Sequence, residues 1–303
     1  MKSTLSMPQV AQVEHHWVQL SDGKIHLATV GAGEPVVLLP GMGMSWWQWR
    51  ELMPLLADAG FRVLALDLRG EAWSDLPSAA LTRTRRSEDV LDLLDRLELD
   101  RAHLVSHDLG SIAAYQLCLE HPDRFISQVL LAVPPPQLQF TIRMVPGMAQ
   151  LWHQELLAIP ALGPWLLRHG PLPGWLLGHF AARELPAEVT QLYTELLRDP
   201  ATASGISCLC RRMLLPELLR ITRGVYREQL FMMPTLFCFG TQDGAFPPPI
   251  VKQVFAQTTR YGPEVKLEMI EGAGHYLSDE QPTETNQVIL QFLEESSSAP
   301  TST

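Results

Sequence analysis

The sequence predicts an α/β fold: a mostly parallel central sheet flanked by helices and interrupted by one long helical insert. Three observations predict it. Short apolar runs alternate with segments of helical spacing, the rhythm of strand–helix–strand units that build parallel sheets. That rhythm stops at Pro134-Pro135-Pro136, and no strand pattern returns until Thr235. Of the 303 residues 46% are hydrophobic and 18% charged, a balance that supports a substantial core in one large domain or a core with an insert.

The elements follow in order. Residues 13–19 and 24–30 read as two strands around the turn Ser21-Asp22-Gly23. Glu34-Pro35 leads into Val36-Val37-Leu38-Leu39, an unbroken apolar strand, which Pro40-Gly41-Met42-Gly43 ends. Over 46–59, Trp46, Trp49, Leu52, Leu55 and Leu56 recur at helical spacing, and Gly60 marks the stop. Residues 61–66 form the next strand and 87–97 an amphipathic helix. Strand 102–105 precedes a helix over about 110–121, and 125–133 is strand again. Within 135–230, Pro160, Pro164, Pro171, Pro173, Pro186 and Pro200 punctuate helical pieces rich in Leu and Trp. Strands resume at Thr235-Leu236-Phe237-Cys238-Phe239 and at 265–270, and a helix closes the fold over 284–293. The tail SSSAPTST has the composition of a disordered end. The expected division is a core of residues 1–134 and 231–303 with a helical cap of residues 135–230.

Composition narrows the function. A net charge of -10 argues against nucleic acid or an anionic membrane surface as partner. The cluster Arg83, Arg85 and Arg86 is short and lies beside Glu88 and Asp89. The N-terminus lacks the apolar core of a signal peptide, and no apolar stretch is long enough to span a bilayer. Cys118, Cys208, Cys210 and Cys238 form no disulfide ladder, and Cys208-x-Cys210 has no second ligand pair, so reduced thiols in a cytoplasmic protein are expected. Neither a metal nor an organic cofactor is implied. A homodimer is left open.

The stretch LVSHDLGS, residues 104–111, carries the chemistry. A strand-to-helix turn of the form small-x-nucleophile-x-small puts one side chain on a tight bend, because small residues two before and two after keep the adjoining backbones from clashing. Ser106 and Gly110 fill the small positions, so Asp108 stands at the tip. Ser106 is itself bracketed by Leu104 and Asp108, which do not fit the rule.

With this bend, Asp67-Leu68-Arg69-Gly70 followed by Ser74-Asp75, Gly240-Thr241-Gln242-Asp243 and Gly272-Ala273-Gly274-His275 occur in an order and spacing that resembles the α/β-hydrolase superfamily over almost the whole chain. The His-Asp-x-Gly bend is similar to its epoxide hydrolase and haloalkane dehalogenase branch. The chemistry agrees. A carboxylate, with an ordinary pKa of about 3.9, is already ionised near neutrality. It displaces a leaving group at saturated carbon without help, whereas attack on a carbonyl would give a reactive anhydride. Asp108 is therefore expected to be alkylated. The resemblance implies that His275 then activates water against the ester, with Asp243 orienting its ring. It also implies backbone oxyanion donors at Met42 and Leu109. The family usually has His-Gly where this chain has Pro40-Gly41.

Epoxides and halides need different leaving-group help. The resemblance implies donor side chains for a halide at positions occupied here by Leu109 and Met42, neither of which donates. For an epoxide it implies one or two cap tyrosines. Tyr193 lies where the first is often found, while the Tyr-Arg pair of the second is matched by Cys210-Arg211; Tyr226-Arg227 lies too close to Pro234. His153, next to Trp152 early in the insert, is a further proton-donor candidate. Trp47, His107 and Trp152 are the expected pocket wall. The reading is a hydrolase that opens an epoxide of an apolar organic substrate. Its alternatives are a haloalkane dehalogenase or other hydrolase with the same residues, and, in another class, a binding or accessory protein that kept the fold and lost turnover.

Overall fold

Val36, Val37, Leu38 and Leu39 are wholly buried, as are Val63, Leu64, Ala65 and Leu66. Unbroken apolar runs of this kind need cover on both faces, which a parallel sheet between two helix layers supplies. In the computed structural model, which describes residues 5–298, the sheet has eight strands in the order β1-β2-β4-β3-β5-β6-β7-β8. They are β1 (Glu14–Leu20), β2 (Gly23–Val30), β3 (Glu34–Leu39), β4 (Phe61–Leu66), β5 (Ala102–His107), β6 (Phe125–Leu131), β7 (Thr235–Gly240) and β8 (Val265–Ile270). The β1–β2 and β2–β4 pairs are antiparallel, and every later pair is parallel.

Strand succession runs one way from β3 to β4, then crosses back so that β5 lies on the other side of β3. In open α/β sheets the crevice at such a reversal, beyond the carboxyl ends of the strands, is where ligands bind. The residues that follow β3 and β5 therefore meet there: the Met42 loop and Asp108.

Helices α1 (Leu52–Asp58), α2 (Arg85–Arg96) and α3 (Asp108–Glu120) cover the first half of the sheet. Between β6 and β7 the chain forms α4 (Val145–Ala149), α5 (His153–Ala158), α6 (Leu162–His169), α7 (Leu172–Phe180), α8 (Ala187–Arg198), α9 (Pro200–Leu209) and α10 (Leu215–Thr222), with a π-helical turn at Cys210–Leu214 joining the last two. The short helices α11 (Pro248–Val254) and α12 (Leu277–Glu280) follow β7 and β8, and α13 (Pro282–Ser298) is the last element of the described residues.

Two elements depart from the sequence reading. The helix expected over 46–59 is broken into a 3-10 turn, Trp46–Trp49, and α1. Pro54 has no N–H for the Arg50 carbonyl and its ring would clash with it, so a continuous helix is excluded there. The Trp46 N–H instead donates to Asp67 Oδ1 at 2.8 Å, and the tight turn buries Trp46 and Trp49 completely. At the other end, Ser296, Ser297 and Ser298 extend α13 rather than beginning a disordered tail; the Ser296 and Ser297 hydroxyls donate to the carbonyls of Phe292 and Leu293. Residues 299–303 of that tail lie outside the described residues. Among the described residues, no helix is long and apolar enough to cross a membrane.

The helical insertion touches the core backbone to backbone at Gly205, where an added Cβ would stand 1.7 Å from the Gly70 carbonyl oxygen. No side chain can be admitted without prying the two layers apart. Gly205→Ala is expected to cost about 1–3 kcal/mol, read as a lowered Tm with the far-ultraviolet circular dichroism of the folded state retained.

Candidate active site

β5 passes into α3 with no loop between them. The bend is made at Asp108, whose φ of 46° lies in the left-handed region. Such strain costs a non-glycine residue of order 1–3 kcal/mol and marks functional positions, though Asp tolerates it better than most. A Cβ on Gly110 would lie 2.4 Å from the Pro40 carbonyl oxygen, which explains the small residue required two places after the tip. Ser106, two places before it, is buried; its hydroxyl donates to Val129 O at 3.1 Å and lies 2.9 Å from Ser111 Oγ. It faces the interior.

The Asp108 carboxylate accepts the Met42 N–H at Oδ2, 3.1 Å away. Its Oδ1 stands 3.7 Å from His275 Nε2, an ion-pair distance longer than a hydrogen bond. Leu109 follows in the first turn of α3, where N–H groups have no partner within the helix. Burial alone would raise the Asp108 carboxyl; the His275 ring, His107 and the Met42 N–H overcome it and hold the group well below the usual carboxylate range. At neutral pH it is an anion.

His275 lies in the turn after β8. Its Nδ1–H donates to Asp243 Oδ2 at 3.0 Å, leaving Nε2 toward Asp108. Burial would depress its pKa, but the Asp243 and Asp108 carboxylates push it up to about 10. Asp243, after β7, accepts the Ala245 and Phe246 N–H groups at Oδ1, 2.8 and 3.2 Å away. It closes a local turn and holds the imidazole at once. His107 donates from Nε2 to the His275 carbonyl at 2.9 Å, and burial, helped by the His275 charge, lowers its pKa to about 4. It is neutral and fixes the backbone of the His275 turn.

A cavity of about 250 Å³ lies over these groups, lined by Met42, His107, Asp108, Leu109 and His275 and by an apolar wall that includes Leu138, Met144, Phe180 and Phe246. The other expected site residues are arranged differently. Trp47 is buried, packed edge-on against Tyr193 and under the Arg50 guanidinium, and does not line the cavity. Trp152 is 47% exposed and packs on Trp175, so it is surface rather than pocket wall. The Tyr193 ring borders the cavity, but its hydroxyl donates to Asp279 Oδ2 at 3.0 Å. Burial and the Asp279 charge raise its pKa well above the usual value, so it offers no proton to a ligand in this arrangement. His153 is buried at the cavity wall, and its Nδ1–H donates to Gln150 O at 3.3 Å. Burial lowers its pKa to about 4, although the charge of Asp108 reaches the ring. Cys210 sits in the π-helical turn with its thiol pushed up to about 12 by burial. The Tyr226 hydroxyl donates to Glu217.

Sequence reasoning missed three supports of the site. Glu280 accepts the N–H groups of Ala182, Gly274 and Tyr276 at 2.7, 2.9 and 2.9 Å, clamping the His275 turn to the helical insertion. Asp279 pairs with Arg50 at 2.7 Å while receiving Tyr193. Glu71 and Arg86 form a buried ion pair beside the Met42 loop. The adjacent acids Asp279 and Glu280 just after His275 were the one visible signal. Among the described residues no group of three or more His, Cys, Asp or Glu side chains is placed to hold a metal ion.

A profile described as the alpha/beta hydrolase fold matches residues 34–282. The chain is similar to epoxide hydrolase A of Mycobacterium tuberculosis, 30% identical over 316 positions that cover 89% of this chain and 94% of that protein. It is 26% identical to a fluoroacetate dehalogenase from a Burkholderia species, with 94% and 95% covered. The crystal structure of an epoxide hydrolase from Vigna radiata matches with a TM-score of 0.77 at 21% identity over 95% of this chain and 100% of that one, a likeness of fold. Three further matches, to epoxide hydrolases 3 and 2 of Siraitia grosvenorii and to a soluble epoxide hydrolase of a Corynebacterium strain, are shorter, and there the chain spans only about half of the relative's length, 39% to 53%.

Proposed function

We propose, from the premise that this chain belongs to the α/β-hydrolase fold family and is an epoxide-hydrolase-like enzyme, that it opens epoxides of apolar organic molecules through a covalent ester on Asp108. One observation carries the reading: the Asp108 carboxylate, on a strained bend, faces an apolar cavity, with the His275 imidazole 3.7 Å from one oxygen and a peptide N–H on the other. Asp108 attacks an epoxide carbon, and the ring C–O bond breaks. His153 is the cap side chain best suited to meet the released oxygen. Its proton sits on Nδ1 at rest, but the 3.3 Å bond to Gln150 O is long, and with the proton moved to Nε2 the neutral ring donates a hydrogen bond to the developing alkoxide while keeping that proton.

Alkylation removes the negative charge of Asp108, and with it much of what holds the His275 proton. The His275 pKa falls, its proton passes to the alkoxide released by ring opening, and the neutral ring becomes a base just when water must attack the ester. Asp243 keeps the imidazole oriented and stabilises the charge it acquires. The Met42 and Leu109 N–H groups face the oxyanion, and the product is a diol. In this reading residues 135–230 act as the cap and residues 1–134 with 231–303 as the catalytic core. The four unpaired, buried cysteines support a reducing, cytoplasmic setting.

A panel of apolar epoxides and matched alkyl halides tests the reading. Diol formation without halide release is expected; halide release without diol transfers the site to the dehalogenases. Turnover of neither, with no adduct on the protein, favours a binding protein. Within this mechanism His153→Phe is expected to slow ring opening about 100-fold, seen as a fall in the single-turnover rate of ester formation with ester hydrolysis little changed.

A further inference from the structure

The loop that carries the Met42 donor is pinned on both sides. The Gly41 N–H donates to Gln48 Oε1 at 3.0 Å, and the Gly43 N–H donates to Glu71 Oε1 at 2.8 Å. Glu71 lies just after the tight Gly70 turn and is buried. Its other oxygen receives Arg86 Nη2 at 2.5 Å, and Arg86, also buried, donates further to the Arg69 carbonyl at 2.8 Å. A buried carboxylate–guanidinium pair gives up its hydration and is weak evidence of stability for its own sake. What this pair does secure is a direction. With the two flanking peptide N–H groups tied to side chains, the Met42 N–H between them has one orientation, toward the carboxylate of Asp108.

We propose that Glu71, held in place by Arg86, is a positioning residue for hydrolysis of the ester, which fixes the Met42 N–H as an oxyanion donor. The inference rests on the ester mechanism proposed above. It separates the two half-reactions. Alkylation takes charge away from Asp108, so it makes little use of the donor. Attack of water on the ester carbonyl places a full negative charge on that oxygen, and there the donor matters most.

The test compares two double variants that both remove the buried charges. Glu71→Met with Arg86→Met replaces the pair by apolar side chains of similar volume and leaves the Gly43 N–H without an acceptor; such replacements of buried pairs commonly fold. Glu71→Gln with Arg86→Met keeps an acceptor oxygen. In single-turnover experiments with an epoxide, the Met–Met variant is expected to hydrolyse its ester about 10–100-fold more slowly. The ester should accumulate in intact-protein mass spectra, and kcat and KM should fall together while kcat/KM holds. The Gln–Met variant, whose amide oxygen still accepts the Gly43 N–H, should hydrolyse its ester at least about 3-fold faster than the Met–Met variant, regaining part of the effect of the oxyanion donor. Ester hydrolysis at the parental rate in the Met–Met variant, or equal slowing in both variants, overturns the role of Glu71 while leaving the ester mechanism standing. A merely structural role would lower Tm and kcat/KM instead. No ester in any variant, including His275→Gln, overturns both readings.

Discussion

Asp108→Ala is expected to lower kcat/KM by at least about 10⁴-fold, as loss of a covalent nucleophile does. No neighbour is placed to take its role. Ser106 is buried with its hydroxyl given to Val129 O, the His107 Nε2 proton is given to His275 O, and the Cys210 thiol is neutral and does not line the cavity. The substitution also removes the anion that pairs with His275, so the His275 pKa should fall from about 10. The left-handed bend suits Ala less well than Asp, and a loss of roughly 1 kcal/mol is expected from that alone. Thermal unfolding and steady-state kinetics on one preparation separate the effects: a Tm within a few degrees of the parent with activity gone is the expected pair. Activity within 10-fold of the parent would remove the carboxylate from the chemistry altogether.

His275→Gln should act differently. Ester formation continues, hydrolysis slows about 10³-fold, and the protein gains mass. For an epoxide the gain equals the whole substrate, because ring opening expels nothing; for an alkyl halide it lacks the halogen. The same ring sets the pH dependence. In the resting protein Asp108 is ionised far into acid and His275 holds its proton up to about pH 10, so kcat/KM, which reports the free enzyme, should be flat across the neutral range. In the ester form the His275 pKa is lower, and only the neutral ring accepts a proton from water. The parent kcat should therefore fall as pH drops through that lower value, with ester accumulating on the acid side. A kcat that rises on acidification would assign the ring another task.

The legible parts of the site were those encoded within a few neighbouring residues. Ser106, Asp108 and Gly110 announce a sharp bend because clearance from the next strand's loop is a local demand, here the 2.4 Å approach of Pro40 O to a Cβ on Gly110. Asp243 and His275 could be named from spacing and family likeness, since each follows a strand that ends at the same sheet edge. The direction of a side chain was not legible. Tyr193 has the position of a proton donor, yet Asp279, 86 residues away, takes its hydroxyl. Trp152 looked like pocket wall beside His153 and turned outward onto Trp175. Pro54 shows a different failure: the breaking signal was present, but the apolar spacing around it outweighed it.

Sequence alone determined the alternation of strands and helices, the helical stretch between 135 and 230, and the residue at the tip of the bend. These depend on periodicity and on backbone sterics, which act between near neighbours. Only the tertiary structure decided the pairings: Glu71 with Arg86 and Gly43, Glu280 with the His275 turn, Tyr193 with Asp279. A buried polar group must find a partner wherever the packed chain brings one, and that partner's place along the sequence follows no period.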